Sequence, residues 1–293
     1  MTEVSQRSAW SNAVSAHTRA QRRSRIVLYV ALIVLVVAYS VPTFGVLLSS
    51  VQQDREISRH GLWRIPQTVT LENYERALGG TNVPNYLLNS VVVTVSATAI
   101  SIAFGVLTGY VFSRLAFRGS ELLYLIVVAG LFFPPQIVII PLQQLFSRTP
   151  INDTILVLIV VHVAFGLPIT TMLLRNFFST IPGALREAAI IDGANEGQIL
   201  LRVMVPLVLP ALAVLATLQF TWIWNDFLWP FILIKNDAAR TIMAGIVLLK
   251  GPYDKAWGLQ GALSVIASLP TLLIFLFFQR YFIRGLTFGA VKG

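Results

Sequence analysis

Six stretches of the chain are apolar for long enough to cross a bilayer, which takes about 20 mainly apolar residues. They run approximately over 26–48, 86–112, 122–146, 154–178, 203–234 and 261–282, and the fifth is longer than one crossing needs. The pattern predicts an all-α membrane protein with six transmembrane helices. A tail over 1–25 precedes the spanning domain of 26–284, and a tail over 285–293 follows it. The apolar segment after Arg19, Arg22, Arg23 and Arg25 is too long for a signal peptide and lacks a small-residue cleavage pattern, so it reads as a membrane anchor.

Three stretches interrupt the apolar pattern. A loop over 49–85 is long enough to fold over one mouth of the domain. In the third span, Pro134, Pro135 and Pro141 remove backbone donors, which lipid tolerates only where protein or water satisfies the freed carbonyls. That helix is expected to be kinked and packed against protein. The polar segment over 181–202 predicts a helical elbow of two short helices. Pro182 starts the first, Gly193 stops it in a left-handed conformation, and Asn195 with Gln198 forms a capping box opening the second. Leu185, Ala188, Ala189, Ile199 and Leu200 are expected to share one apolar face of this elbow.

Composition agrees with a membrane solvent. Hydrophobic residues make up 56% of the chain and charged residues 12%, against a charged fraction of about 25% in soluble domains. The net charge of +9 sits in loops between apolar runs, as expected for contact with anionic lipid and not for a nucleic-acid surface. There is no cysteine, and the three histidines, His17, His60 and His162, have no ligand spacing, so no metal site is expected. Lys and Arg near span ends favour the cytoplasm. With both termini inside, the cytoplasmic segments hold Arg7, Arg19, Arg22, Arg23, Arg25, Arg114, Arg118, Arg175, Arg186, Arg202, Arg280, Arg284 and Lys292, a majority of the 22 basic residues. This bias predicts that both termini are cytoplasmic.

Glu187-Ala188-Ala189, then Asp192-Gly193-Ala194, then Pro206 resembles the cytoplasmic signature of the permeases of binding-protein-dependent ABC importers. Three further stretches are similar to the carbohydrate branch of that family, of the maltose and glycerol-phosphate kind: Thr70-Leu71-Glu72-Asn73-Tyr74, Trp224-Asn225-Asp226-Phe227-Leu228-Trp229-Pro230, and the tail from Gly285 to Gly293. The resemblance implies a type I ABC importer permease fold in a prokaryotic plasma membrane. The elbow would dock on a dimeric cytoplasmic ATPase, with Glu187, Ala188, Ala189, Asp192 and Gly193 as coupling residues and the tail residues Gly289, Lys292 and Gly293 against the ATPase. It further implies a second, related permease and an extracellular solute-binding protein as partners, a carbohydrate or glycerol-phosphate-like solute, and ATP with magnesium bound on the ATPase and no cofactor on this chain. Consistent with that division, the Gly-Lys pair of a phosphate-cradling loop is absent. Transport would then proceed by alternating access.

The polar residues within the spans are candidates for the substrate pathway: Asn89, Gln136, Asn225 and Asp226. Each is equally readable as a tie between helices or, for Asn225 and Asp226 among Trp222, Trp224 and Trp229, as part of an interfacial belt. His162 reads as a packed histidine hydrogen-bonded to a neighbouring helix. An ion-coupled secondary transporter is the alternative. It would usually show intramembrane acidic clusters and paired broken helices, whereas only Asp226 qualifies here and no repeat is evident. A membrane enzyme would need catalytic groups converging at one depth, and none do.

Overall fold

The computed structural model describes residues 2–79, 81–115, 117–248 and 256–290, with side chains described for residue 22 and, within those segments, from residue 24 to residue 280. Among the described residues every regular element is helical. Helix α1 (Thr2–Ser50) is followed by two short helices, α2 (Asp54–His60) and α3 (Glu72–Gly79), then by the long α4 (Val83–Arg114). Helices α5 (Ser120–Ala129) and α6 (Pro135–Phe146) precede α7 (Ile155–Thr180) and the elbow, α8 (Gly183–Ile191) and α9 (Glu196–Gln198). A π-helical segment, Ile199–Met204, leads through α10 (Val205–Leu207) into α11 (Leu209–Trp224), followed by α12 (Leu228–Leu233), α13 (Ile242–Leu248) and α14 (Trp257–Ala290).

Four helices, α1 from Ser24, α4, α7 and α14 to Arg280, are each long and apolar enough to cross a membrane. Among the described residues two further helix pairs pass the same test together, which makes up to six crossings if each bent pair is one. The stretch from α5 to α6 bends by 100°, and that from α9 to α11 by 79°. Proline explains both breaks. Pro134 and Pro135 remove two consecutive donors between Phe132 and α6, and Pro210 removes the donor that would have continued the helix from Pro206 through Val208. The kink expected in the third span is therefore a sharp bend. Only part of it packs on protein: Val138, Ile139, Leu142 and Phe146 of α6 meet a buried cluster, while Phe132 and Phe133 remain exposed.

Two compact units divide the chain. The first comprises Met1–Asn73 with Trp257–Ala262. In it, α1 is exposed at every residue from 24 to 44. A helix that is apolar all round and touches little of its own chain belongs in lipid or against another subunit. Beyond α1 the loop is pinned by side chains: Asn73 Nδ2 donates to the carbonyls of Ser50 (3.1 Å) and Gln52 (2.7 Å), and Asp54 accepts from Gly258 N (2.7 Å).

The second unit comprises Tyr74–Ala256 with Leu263–Gly293. Its centre is the pair α4 and α7, which run in the same direction. In lipid there is no hydrophobic gain from bringing two apolar helices together, so close packing and interhelical hydrogen bonds must supply the attraction. Small residues at four-residue spacing on α4, Ala97, Ser101, Gly105 and Gly109, make the approach possible. A Cβ on Gly105 would lie 2.5 Å from Thr170 Cβ, and one on Gly109 2.9 Å from the backbone nitrogen of Arg175. Across the seam Thr108 and Thr171 hydroxyls meet at 2.7 Å, and Thr170 Oγ1 donates to Ser101 O at 3.2 Å. Helix α11 runs back along the pair. Its Gln219 donates Nε2 to Gly166 O on α7 (3.1 Å), and Trp224 Nε1 donates to Ala267 O on α14 (2.8 Å). Apolar clusters lie at both ends of this core. One joins Val93, Val161, Ile223 and Trp229. The other joins Tyr110, Leu174, Phe178 and Ile199 beside the elbow.

Candidate functional site

The elbow begins where α7 ends. Extended Ile181 and Pro182 turn the chain out, and Pro182 caps α8, where its missing donor costs nothing. Gly193 closes α8 at φ +81°, where a Cβ would be strained. Its N–H reaches Ile190 O (3.0 Å) and that of Ala194 reaches Ala189 O (2.9 Å), a left-handed cap that satisfies two terminal carbonyls. Asn195 and Gln198 then exchange side-chain to backbone bonds, both 3.0 Å, as the expected capping box. Glu187, Ala188, Asp192 and Gly193 are exposed, and Ala189 is half-buried, so these residues line one projecting surface.

The apolar face differs from the expectation. Ile199 and Leu200 are buried in the chain's own core beside Leu174 and Phe178, whereas Leu185 and Ala188 face outward with Ile190 and Ile191, the last 85% exposed. The turn at Gly193 separates the two sets of apolar positions that sequence spacing had joined.

Polar ties fix the elbow to the spans. Tyr110 on α4 donates to Glu196, which also forms an ion pair with Arg186 of α8. Glu196 raises the already high proton affinity of the Arg186 guanidinium, so that side stays charged. A terminal nitrogen of Arg114 donates to the carbonyls of Phe178 and Ile181, closing the end of α7. Arg175 pairs with Glu121 and stacks 3.8 Å above the Tyr124 ring, tying α5 to α7.

The second region lies eight residues into α7, roughly 27 Å along the helix from the elbow at 1.5 Å per residue. Here a cavity of about 200 Å³ opens between α6, α7 and the break that separates α11 from α12. Its polar wall comprises Gln136, His162, Gln219 and Asp226, and its apolar wall includes Phe165, Trp222 and Trp229. Asp226 accepts from Leu228 N and Trp229 N, both at 3.2 Å, and so starts α12. His162 Nε2 stands 3.5 Å from Asp226 Oδ2 and has no hydrogen bond. Gln219 Oε1 and Ser101 Oγ are likewise buried without a partner, although Gln219 Nε2 is bonded.

Of the pathway candidates, Gln136 and Asp226 line this cavity. Asn225 does not; its Nδ2 donates back to Thr221 O (2.8 Å), capping its own helix. Asn89 is a structural tie, donating to the carbonyls of Ala238 (2.8 Å) and Arg240 (2.9 Å). With Asn85 it clamps the loop around Asp237, whose carboxylate also takes Tyr86 Oη (2.6 Å), Asn82 and Arg240. Hydrogen bonds from Tyr86 and then Asn82 hold the Asp237 carboxyl below its ordinary range. His162, expected to be hydrogen-bonded to a neighbouring helix, faces the cavity without such a bond. Gln219 escaped sequence reading, although a lone amide in an apolar stretch was a signal for it. Lys292 and Gly293 lie outside the described residues, and Gly289 is described only as backbone of α14.

Comparison with known proteins supplies an independent finding. Residues 101–288 match the family described as binding-protein-dependent transport system inner membrane component. A probable ABC transporter permease protein of Pyrococcus horikoshii is 35% identical, over 87% of this chain and 94% of that protein. The arabinooligosaccharides transport system permease protein AraQ of Halalkalibacterium halodurans is 34% identical, over 86% and 91%. The diacetylchitobiose uptake system permease protein NgcG of Streptomyces coelicolor is 33% identical, over 94% and 92%. Among solved structures, a chain of a bacterial ABC transporter involved in the import of the acidic polysaccharide alginate superposes with a TM-score of 0.78 at 23% identity, over 90% of this chain and 98% of that one. The last likeness concerns the fold alone.

Proposed function

This chain belongs to the family of inner membrane components of binding-protein-dependent transport systems, and from that premise we propose that it forms part of the pathway of an ATP-driven sugar importer. It is a permease subunit, and ATP hydrolysis belongs to a separate ATPase chain. The relatives named for arabinooligosaccharide and diacetylchitobiose uptake support a carbohydrate as the transported solute.

The elbow is the observation that carries the mechanistic reading. It presents an acidic Glu187 and the apolar Ile190 and Ile191 outward, while its inner side is bonded to Tyr110 and Arg114 of α4 and packs on Leu174 and Phe178 of α7. A surface of that kind suits a cleft on a cytoplasmic ATPase dimer, with Glu187, Ala188, Ala189, Asp192 and Gly193 at the contact and Gly289, Lys292 and Gly293 reaching the same partner. The elbow side of the membrane is then the cytoplasm, both termini lie there, and the cavity sits toward the outer face. A second, related permease completes the pathway, and a solute-binding protein delivers substrate from outside. ATP shifts the two access states only as far as it binds one better than the other, and the elbow is the route by which that preference reaches the spans.

Affinity purification of the tagged chain from native membranes in mild detergent tests this. The expected result is stoichiometric recovery of a P-loop ATPase and a second permease. A homo-oligomer without an ATPase overturns the reading and favours an ion-coupled carrier.

A further inference from the structure

Resting on the importer reading above, we infer that the cavity at the α11–α12 break is this chain's own substrate subsite and that it takes one ring of an uncharged saccharide. The sugar contacts are then not left to the partner permease.

Buried polar atoms without partners carry the argument. An unsatisfied polar group in a membrane interior costs free energy, and here Gln219 Oε1 stands without a partner beside one cavity while His162 Nε2 meets only Asp226 Oδ2, at 3.5 Å. His162 is 8% exposed and Gln219 3% exposed, so only what enters the cavity can meet their needs. A ligand presenting several hydroxyls does. Adjacent hydroxyls of one ring can donate to Gln219 Oε1 and to the Asp226 carboxylate, while Gln136 offers both a donor and an acceptor. Trp222, 54% exposed, supplies an apolar face for the C–H side of the ring.

Charge excludes a different class. The lining contains a carboxylate and neither lysine nor arginine. A carboxylate, sulfate or phosphate on the ligand would be desolvated next to Asp226 with no cation from this chain to offset it. Acidic saccharides and sugar phosphates are therefore rejected, in contrast to the acidic polysaccharide of the structural neighbour. Size sets the extent. At about 200 Å³ the cavity is smaller than the roughly 300–1,000 Å³ of sites that enclose a drug-sized ligand, so it grips one unit of a longer chain.

The test uses the whole transporter, with its ATPase, second permease and binding protein, in proteoliposomes. ATP-dependent uptake is measured for labelled maltose, cellobiose and diacetylchitobiose, and for digalacturonate and glycerol phosphate. A neutral sugar is expected to be taken up, and Gln136→Leu and Trp222→Ala, both at exposed positions, to lower kcat/KM for it by about tenfold or more. Size-exclusion chromatography checks that these variants still assemble. Preference for an anionic solute, or neutral-sugar kinetics unmoved by both assembled variants, overturns the subsite and leaves the importer standing. ATP-dependent uptake of neither class refutes the importer reading itself.

Discussion

The elbow and the cavity sit at opposite ends of α7 and treat their polar groups in opposite ways. At the elbow, Tyr110, Glu196, Arg186 and Arg114 are bonded to one another or to helix-terminal carbonyls; the Nε atoms of both arginines are unpaired, but their terminal nitrogens are not. At the cavity, Gln219 keeps its acceptor Oε1 buried and idle, and His162 Nε2 reaches Asp226 only at 3.5 Å, without a hydrogen bond. A network in which every side chain has at least one bonded partner favours one geometry. An idle buried acceptor favours any state in which something arrives to bond it. On the function proposed above, the difference separates a part that would transmit position from a part that would receive a ligand.

The largest expected effect comes from breaking the transmitting end. Gly193→Val places a β-branched residue at φ +81°, at a cost of about 1–3 kcal/mol. Uptake is expected to vanish while membrane insertion, read by fractionation, is unchanged. Gly193→Asn, which tolerates the left-handed region, should keep much of it. Normal uptake by the valine variant would remove the distinction between the two ends.

The connection between them is tested next. Gly105→Val drives a side chain into Thr170, and overpacking of this kind costs about 1–3 kcal/mol. The variant's melting temperature in detergent should fall, and uptake with it. An unchanged melting temperature would mean that the α4–α7 contact is looser than described.

A smaller effect is expected at the ion pair. Glu196 is 43% exposed in its side chain, so the pair is worth no more than about 1 kcal/mol. Arg186→Glu should leave ATPase activity less responsive to loaded binding protein, and adding Glu196→Arg should restore the response. Failure of the reciprocal pair to restore it would assign the arginine to some other contact.

The smallest effect lies on the loop around Asp237. Because its carboxyl is held below the ordinary 3.8, it stabilises the loop fully above that value and loses the contribution as pH falls through its own lower pKa. Hydrogen exchange over residues 235–240 should therefore stay slow near neutrality and quicken, beyond its intrinsic pH trend, only in strong acid. Asp237→Asn should abolish that dependence.

These contrasts also mark what the sequence discloses. The elbow was legible because its signals are local: Pro182, Gly193 and the Asn195–Gln198 box act within a few residues of themselves. The break at Pro134 and Pro135 was legible for the same reason. The cavity was only half legible. Asp226 and Gln136 stood out as polar residues in apolar stretches, but nothing local reveals that His162 meets Asp226 from another helix. Asn89 stayed open between pathway and tie because the carbonyls that engage it, on Ala238 and Arg240, lie far along the chain. Leu185 and Ile199 misled because helical periodicity does not survive a left-handed turn.

The glycine seam between α4 and α7 has a mechanical consequence. Helices in backbone contact leave no soft layer of side chains to absorb strain, so on the proposed coupling role the two would move as one stiff lever pivoting at the elbow. Over an arm of roughly 27 Å, a tilt of about 10° sweeps the far end through roughly 5 Å. That travel is comparable to a single helical turn, and the proline breaks before α6 and α11 would be the joints to take it up.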